Sequence, residues 1–161
     1  MRRFYARHQP KTHPRAGLMA GLATLLLIGA LAAGGDVAGT TLLIAPFSAS
    51  CVLVFAAPQS PLSQPAHVVG GHVLAAVIGI AMQALPPGFW APALTAGLAV
   101  GTMVMARLTH PPAGATALTA YFTAQSWWFV LVPVAAGASA LVLAAMAYHR
   151  LHRTPYPMPA P

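Results

Sequence analysis

Glutamate is absent from this sequence, and Asp36 is its only acid. Catalysis by paired carboxylates is excluded, and a Ser-His-Asp triad would have only Asp36 to draw on. The chain is therefore not expected to be an enzyme. Charge of either sign is scarce, at 6% of 161 residues, against about 25% in soluble domains. So few charges cannot coat a water-facing surface. Cysteine occurs once, at Cys51 in an apolar run, so no disulfide within the chain and no cysteine-based zinc site can form. Cys51 reads as a small buried hydrophobe. Neither a Walker loop nor a dinucleotide fingerprint is present, so ATP-driven work would need a partner, and no cofactor is expected.

What is abundant is apolar. Hydrophobic residues make up 58% of the chain and the mean hydropathy is +0.71. The fold class this implies is all-α: a polytopic transmembrane helical bundle with the lipid bilayer as its main solvent. Residues 1–15 form a basic tail lying near anionic headgroups. Residues 16–149 form the transmembrane domain. Residues 150–161 form a basic, then Pro-rich, tail expected to lack regular structure. Residues 16–34 would rise about 28 Å as a helix, so this run reads as a retained span rather than a cleaved signal.

Five of the eight basic residues precede the first apolar run, and Arg150 and Arg153 follow the last. Basic residues flanking apolar segments point to both termini in the cytoplasm and an even number of crossings. The membrane is expected to be a bacterial inner membrane. They do not form the basic stripe with interleaved aromatics that nucleic acid would require. Arg107 alone lies between.

The apolar segments are 16–34, 40–57, 66–85, 89–109, 113–124 and 129–149. Pro46 interrupts the second, and His110-Pro111-Pro112 precedes the short fifth. Proline inside a helix loses a hydrogen bond, but proline can begin one. Four full spans are therefore expected, plus two Pro-broken segments that either cross or re-enter. These two segments align: Pro46-Phe47-Ser48-Ala49-Ser50-Cys51 with Pro112-Ala113-Gly114-Ala115-Thr116-Ala117, 66 residues apart. The chain thus divides into two units of three segments, inverted in the membrane if every segment crosses. Paired broken segments of this kind point to a transporter site.

The polar inventory suits an anion. Half-helices opening after Pro46 and Pro112 would present amide N–H groups and a positive dipole end. Ser48, Ser50, Gly114 and Thr116 would let a solute approach, and His110 and Arg107 would add positive charge. His72, about one turn inside the third segment, is a further candidate. Cation transport would call for membrane carboxylates, which are missing. His67 and His72 are five residues apart and do not share a helical face, so no metal site is expected from them.

The stretch Thr109-His110-Pro111-Pro112-Ala113-Gly114-Ala115-Thr116-Ala117-Leu118 resembles the signature of the HPP family of integral membrane proteins. The stretch from Ser48 to Pro65, and Gly70-Gly71-His72 after it, are similar to that family too. The resemblance implies four transmembrane helices. Because plant plastid relatives are linked to nitrite transport, it also implies a transporter or channel for a small anion, with nitrite as the named candidate. Carried over by motif, the site residues are His110, Pro111, Pro112, Gly114, Thr116, Ser48, Ser50, Pro58, Gln64, Pro65 and His72. The alternative is a haem- or metal-binding, or assembly, subunit of a membrane redox complex using His72 and His110. A chain this small is also a candidate for a homo-oligomer.

Overall fold

Among the described residues, four of the six α-helices begin on a proline. The first helical position needs no N–H donor, and the fixed φ of proline suits it. In the computed structural model, which describes residues 3–8 and 10–159, the helices are α1 (Pro14–Ala38), α2 (Pro46–Ala56), α3 (Pro65–Ala81), α4 (Trp90–Met105), α5 (Pro111–Phe122) and α6 (Gly137–Leu151). There is no strand among the described residues. Helix α1 continues through Gly34, Gly35 and Asp36, where the sequence predicts a break. It ends where Gly39 turns left-handed at φ 62°.

Helix α6 is preceded by the π-helical turns Val130–Ala136, which contain Pro133. Proline cannot donate to the preceding turn, and the wider π ladder accommodates it. The sixth segment is therefore less plain than its composition suggests. Among the described residues, three helical stretches are long and apolar enough to cross a bilayer: Pro14–Ala38, Pro65–Ala84 and Val130–Leu151.

The six helices alternate in direction. Helix α2 descends beside α1, with Gly34 near Leu42 at one end. It runs parallel to α6, from Phe47 against Gly137 to Val54 against His149. Helices α3 and α5 are parallel to each other, from Gly71 beside His110 to Gly79 beside Ala117. The two short helices thus run in the sense of crossing segments. Their 11 and 12 residues rise only about 16–18 Å. The non-helical residues 41–44 and 108–110 lead into them.

The repeat at an offset of 66 is visible in the packing. The buried set on α2 includes Pro46, Phe47, Ser50, Cys51 and Val54. On α5 it is Pro112, Ala113, Thr116, Ala117 and Ala120, the same positions 66 residues on. The third helix of each unit meets the second helix of the other in the same way. A Cβ at Gly71 would stand 2.9 Å from the Leu108 carbonyl oxygen, and one at Gly137 would stand 3.0 Å from that of Leu42. Two glycines 66 apart therefore admit two backbone segments 66 apart. Because α2 descends and α5 rises, the two units are inverted.

The C-terminal tail is docked as far as Met158, contrary to the expectation of an unstructured end. The Tyr156 hydroxyl donates to the Ser63 carbonyl at 2.9 Å, the Gln59 amide donates to the Pro155 carbonyl at 2.9 Å, and the Met158 N–H donates to the Gln64 side-chain oxygen at 2.8 Å. Tyr156 supplies an apolar ring to bury, and burial pushes its hydroxyl up to about 12 from the usual 10. Below pH about 10 the docking is at full strength. Between about 10 and 12 a free tail ionises while the docked one does not, so docking weakens as pH rises. The difference in ultraviolet tyrosinate titration between wild type and Tyr156→Phe is expected to have its midpoint near 12. A midpoint near the ordinary tyrosine value would mean that the tail is not held.

Candidate functional site

Helices α2, α3 and α5 bring Ser50, His72, His110 and Thr116 together, all with no accessible surface. The Ser50 hydroxyl lies 2.9 Å from His72 Nε2 and 2.8 Å from His110 Nε2. His72 Nδ1 lies 2.7 Å from the Thr116 hydroxyl, and His110 Nδ1 lies 2.9 Å from the Leu62 carbonyl oxygen. The result is one unbranched chain: Thr116, His72, Ser50, His110, Leu62.

Its direction follows from its last member. A carbonyl oxygen only accepts, so His110 Nδ1 carries a hydrogen and donates to Leu62. With both rings neutral, His110 Nε2 then accepts from Ser50, Ser50 accepts from His72 Nε2–H, and Thr116 donates to His72 Nδ1. Every donor and acceptor is used, which is what polar groups buried in hydrocarbon require. The Ser50 hydroxyl is also 3.3 Å from the Pro46 carbonyl. With one extra proton on the His110 ring, Ser50 can turn its hydrogen to Pro46 and accept from both imidazoles. The chain can therefore hold zero or one excess proton without orphaning a group.

Ser50 and Thr116 are 66 apart and grip His72 from opposite sides, so the repeat supplies equivalent hydroxyls to one imidazole. Neither histidine has a counterpart: the corresponding positions are Ala138 and Ile44. The scaffold is pseudo-symmetric and the site is not. Phe47 presents its ring to His72 at 5.2 Å and 87°. The loop that places Leu62 is stitched by Ser63, whose hydroxyl lies 2.8 Å from the Ala57 carbonyl, and by Gln64, whose amide donates to Pro58 and Ser60. Gln83 donates to Ala120 and Gln125 at the far end of α5.

The remaining candidates are placed differently. Ser48 is exposed and its hydroxyl donates to the Ala45 carbonyl at 2.9 Å, at the start of its own helix. Arg107 is exposed on the left-handed turn after α4, at φ 56°. Pro112 is buried, Pro111 is exposed and Gly114 is half-buried. The open amide cradle expected at the half-helices is corrected. Prolines 46, 111 and 112 have no N–H, Phe47 and Ser48 donate to Ile44 and Ala45, and Ala113 donates to His110. The polar groups on offer are therefore side chains. The Leu62 carbonyl and the Phe47 ring carry no sequence signal that marks them as partners of the histidines. Among the described residues no three His, Cys, Asp or Glu side chains gather as a metal-binding group.

Alternating apolar helices around a buried polar chain define a polytopic α-helical membrane protein. More narrowly, residues 9–157 match the family described as HPP, transmembrane region, and the chain belongs to that family. Two proteins of Dictyostelium discoideum, each described as a transmembrane protein, are similar to it. One is 36% identical over 123 residues, 71% of this chain and 40% of the relative. The other is 36% identical over 120 residues, 69% of this chain and 42% of the relative. The chain thus spans about two fifths of the length of these relatives. No solved structure matches it.

Proposed function

We propose that this chain is a transporter or channel for a small anion, with nitrite as the leading candidate and the Ser50–His72–His110–Thr116 cluster as its site. The observation that carries the reading is the closed polar chain in an apolar interior. Ionisable groups inside a membrane protein are expensive and mark pathways by default. The site contains two imidazoles and no carboxylate, so an anion meets no fixed negative charge there. The inverted repeat with its two Pro-started short helices supports the same reading, because transporters place their sites between such repeats. The cluster's capacity for one extra proton suits an anion that travels with a proton, the pair being neutral overall. The membrane is proposed to be a bacterial cell membrane with both ends of the chain in the cytoplasm.

The test is uptake of nitrite and formate into proteoliposomes, wild type beside His110→Ala. Saturable uptake that is lost in the variant is expected. Folded protein that moves neither anion would overturn the reading.

A further inference from the structure

A second polar feature lies away from the histidine chain, between the start of α1 and the ends of α2 and α6. It is a cavity of about 720 Å³. Its lining combines an apolar part, including Phe55 and Met19, with Arg15, His13 and His152. The only acid, Asp36, is at the far end of α1, some 21 residues or about 32 Å away.

The wall also contains His149, which is 2% exposed. His149 Nε2 lies 2.7 Å from the Val54 carbonyl oxygen and must donate to it. Nδ1 of the neutral ring is then a lone pair in need of a donor. It is the buried side-chain nitrogen or oxygen that has no partner among the described residues. Buried acceptors of this kind are nearly always satisfied, so the bare atom points to something missing. His152 donates Nδ1 to the Tyr148 carbonyl at 2.7 Å, so Nε2 of its neutral ring is likewise an acceptor.

The site therefore asks for negative charge at Arg15, a hydroxyl or similar donor at His149, and apolar matter against Phe55 and Met19. Its size falls within the roughly 300–1,000 Å³ of cavities that enclose whole organic ligands. A three- or four-atom anion would leave most of it empty. We propose that this cavity binds an anionic phospholipid whose headgroup carries hydroxyls, as phosphatidylglycerol does. The phosphodiester faces Arg15 and His13, a headgroup hydroxyl donates to His149 Nδ1, and the start of an acyl chain lies along the apolar part. Basic pockets between membrane helices are a recurrent setting for such headgroups.

The experiment is thermal unfolding and native mass spectrometry of the full chain in detergent with defined additions. Phosphatidylglycerol is expected to raise the unfolding temperature and to be retained, whereas phosphatidylcholine is not. Phosphatidylmethanol, with the same charge and no hydroxyl, is expected to bind about tenfold more weakly, as loss of one buried hydrogen bond implies. Arg15→Gln alters an exposed side chain and is expected to keep the fold while losing most of the phosphatidylglycerol effect. His149→Leu should erase the preference for phosphatidylglycerol over phosphatidylmethanol. Equal stabilisation by phosphatidylglycerol and phosphatidylcholine, or an undiminished effect in Arg15→Gln, would overturn the site. Equal binding of phosphatidylmethanol would overturn the role of His149. The same shift from glycerol phosphate alone would assign a soluble ligand and overturn the lipid.

Discussion

Ser50→Ala is expected to be among the most damaging single-atom deletions in this protein, and Ser48→Ala among the mildest. Removing the Ser50 hydroxyl deprives His72 Nε2–H of its acceptor and His110 Nε2 of its donor. Each buried polar group left unpaired costs about 1–3 kcal/mol, so the pair costs about 2–6 kcal/mol. No water-facing surface is available to relieve them, because all three side chains have zero exposure. Ser48 is exposed and bonds only at the start of its own helix, so its loss should stay within about 0.5 kcal/mol. Thermal unfolding of the two variants in the same detergent is the check. A Ser50→Ala protein as stable as wild type would mean that the histidines are not joined through that hydroxyl. On the anion reading, Ser50→Ala should also abolish uptake, and Ser48→Ala should leave it unchanged.

Gly79→Ala is expected to disrupt the bundle, and Gly97→Ala to leave it intact. A Cβ at Gly79 would fall onto the backbone carbonyl of Ala117, with the Ala120 Cβ 2.8 Å away. The obstacle is backbone, so no rotamer change can clear it. Helices α3 and α5 would have to separate, and the His72–Thr116 contact they hold would open with them. Overpacking of this kind typically costs about 1–3 kcal/mol, and more where backbone must move. At Gly97, exposed on α4, a Cβ would meet nothing within 4 Å. Alanine there gains helix propensity. Folded yield and unfolding temperature of the two variants separate the cases. Equal behaviour would mean that α3 and α5 are not packed this closely.

Much of this architecture is written locally in the chain. The prolines at 46, 65 and 111 announce helix starts because proline fixes φ and needs no donor there, whereas α1 begins at Pro14, inside the stretch read as a tail. The repeat is legible from Pro46-to-Cys51 against Pro112-to-Ala117, and the same offset then governs which residues are buried. Pro133 lies inside an apolar run whose composition marks no break, and only the backbone shows that it sits in π turns. The site is partly legible. His72, His110, Ser50 and Thr116 are the right kinds of residue in or beside the right segments. Their joining is not legible, because Ser50 is 22 residues from His72 and 60 from His110. Nothing in the sequence separates Ser48 from Ser50; that depends on which face of α2 turns inward. The amide cradle fails for a physical reason, since prolines lack N–H and the next amides close turns onto Ile44, Ala45 and His110. The tail docks because Tyr156 can bury a ring, a fact that composition averaged over 150–161 conceals.

Nitrogen NMR of the histidine rings in lipid, assigned with His72→Ala and His110→Ala and recorded with and without nitrite, tests whether the anion meets the His72–Ser50–His110 chain. A neutral His110 protonated at Nδ1, a neutral His72 protonated at Nε2, and both sets of ring signals shifting as nitrite saturates are expected. Ring signals that stay fixed while nitrite saturates uptake would place the anion elsewhere and contradict it.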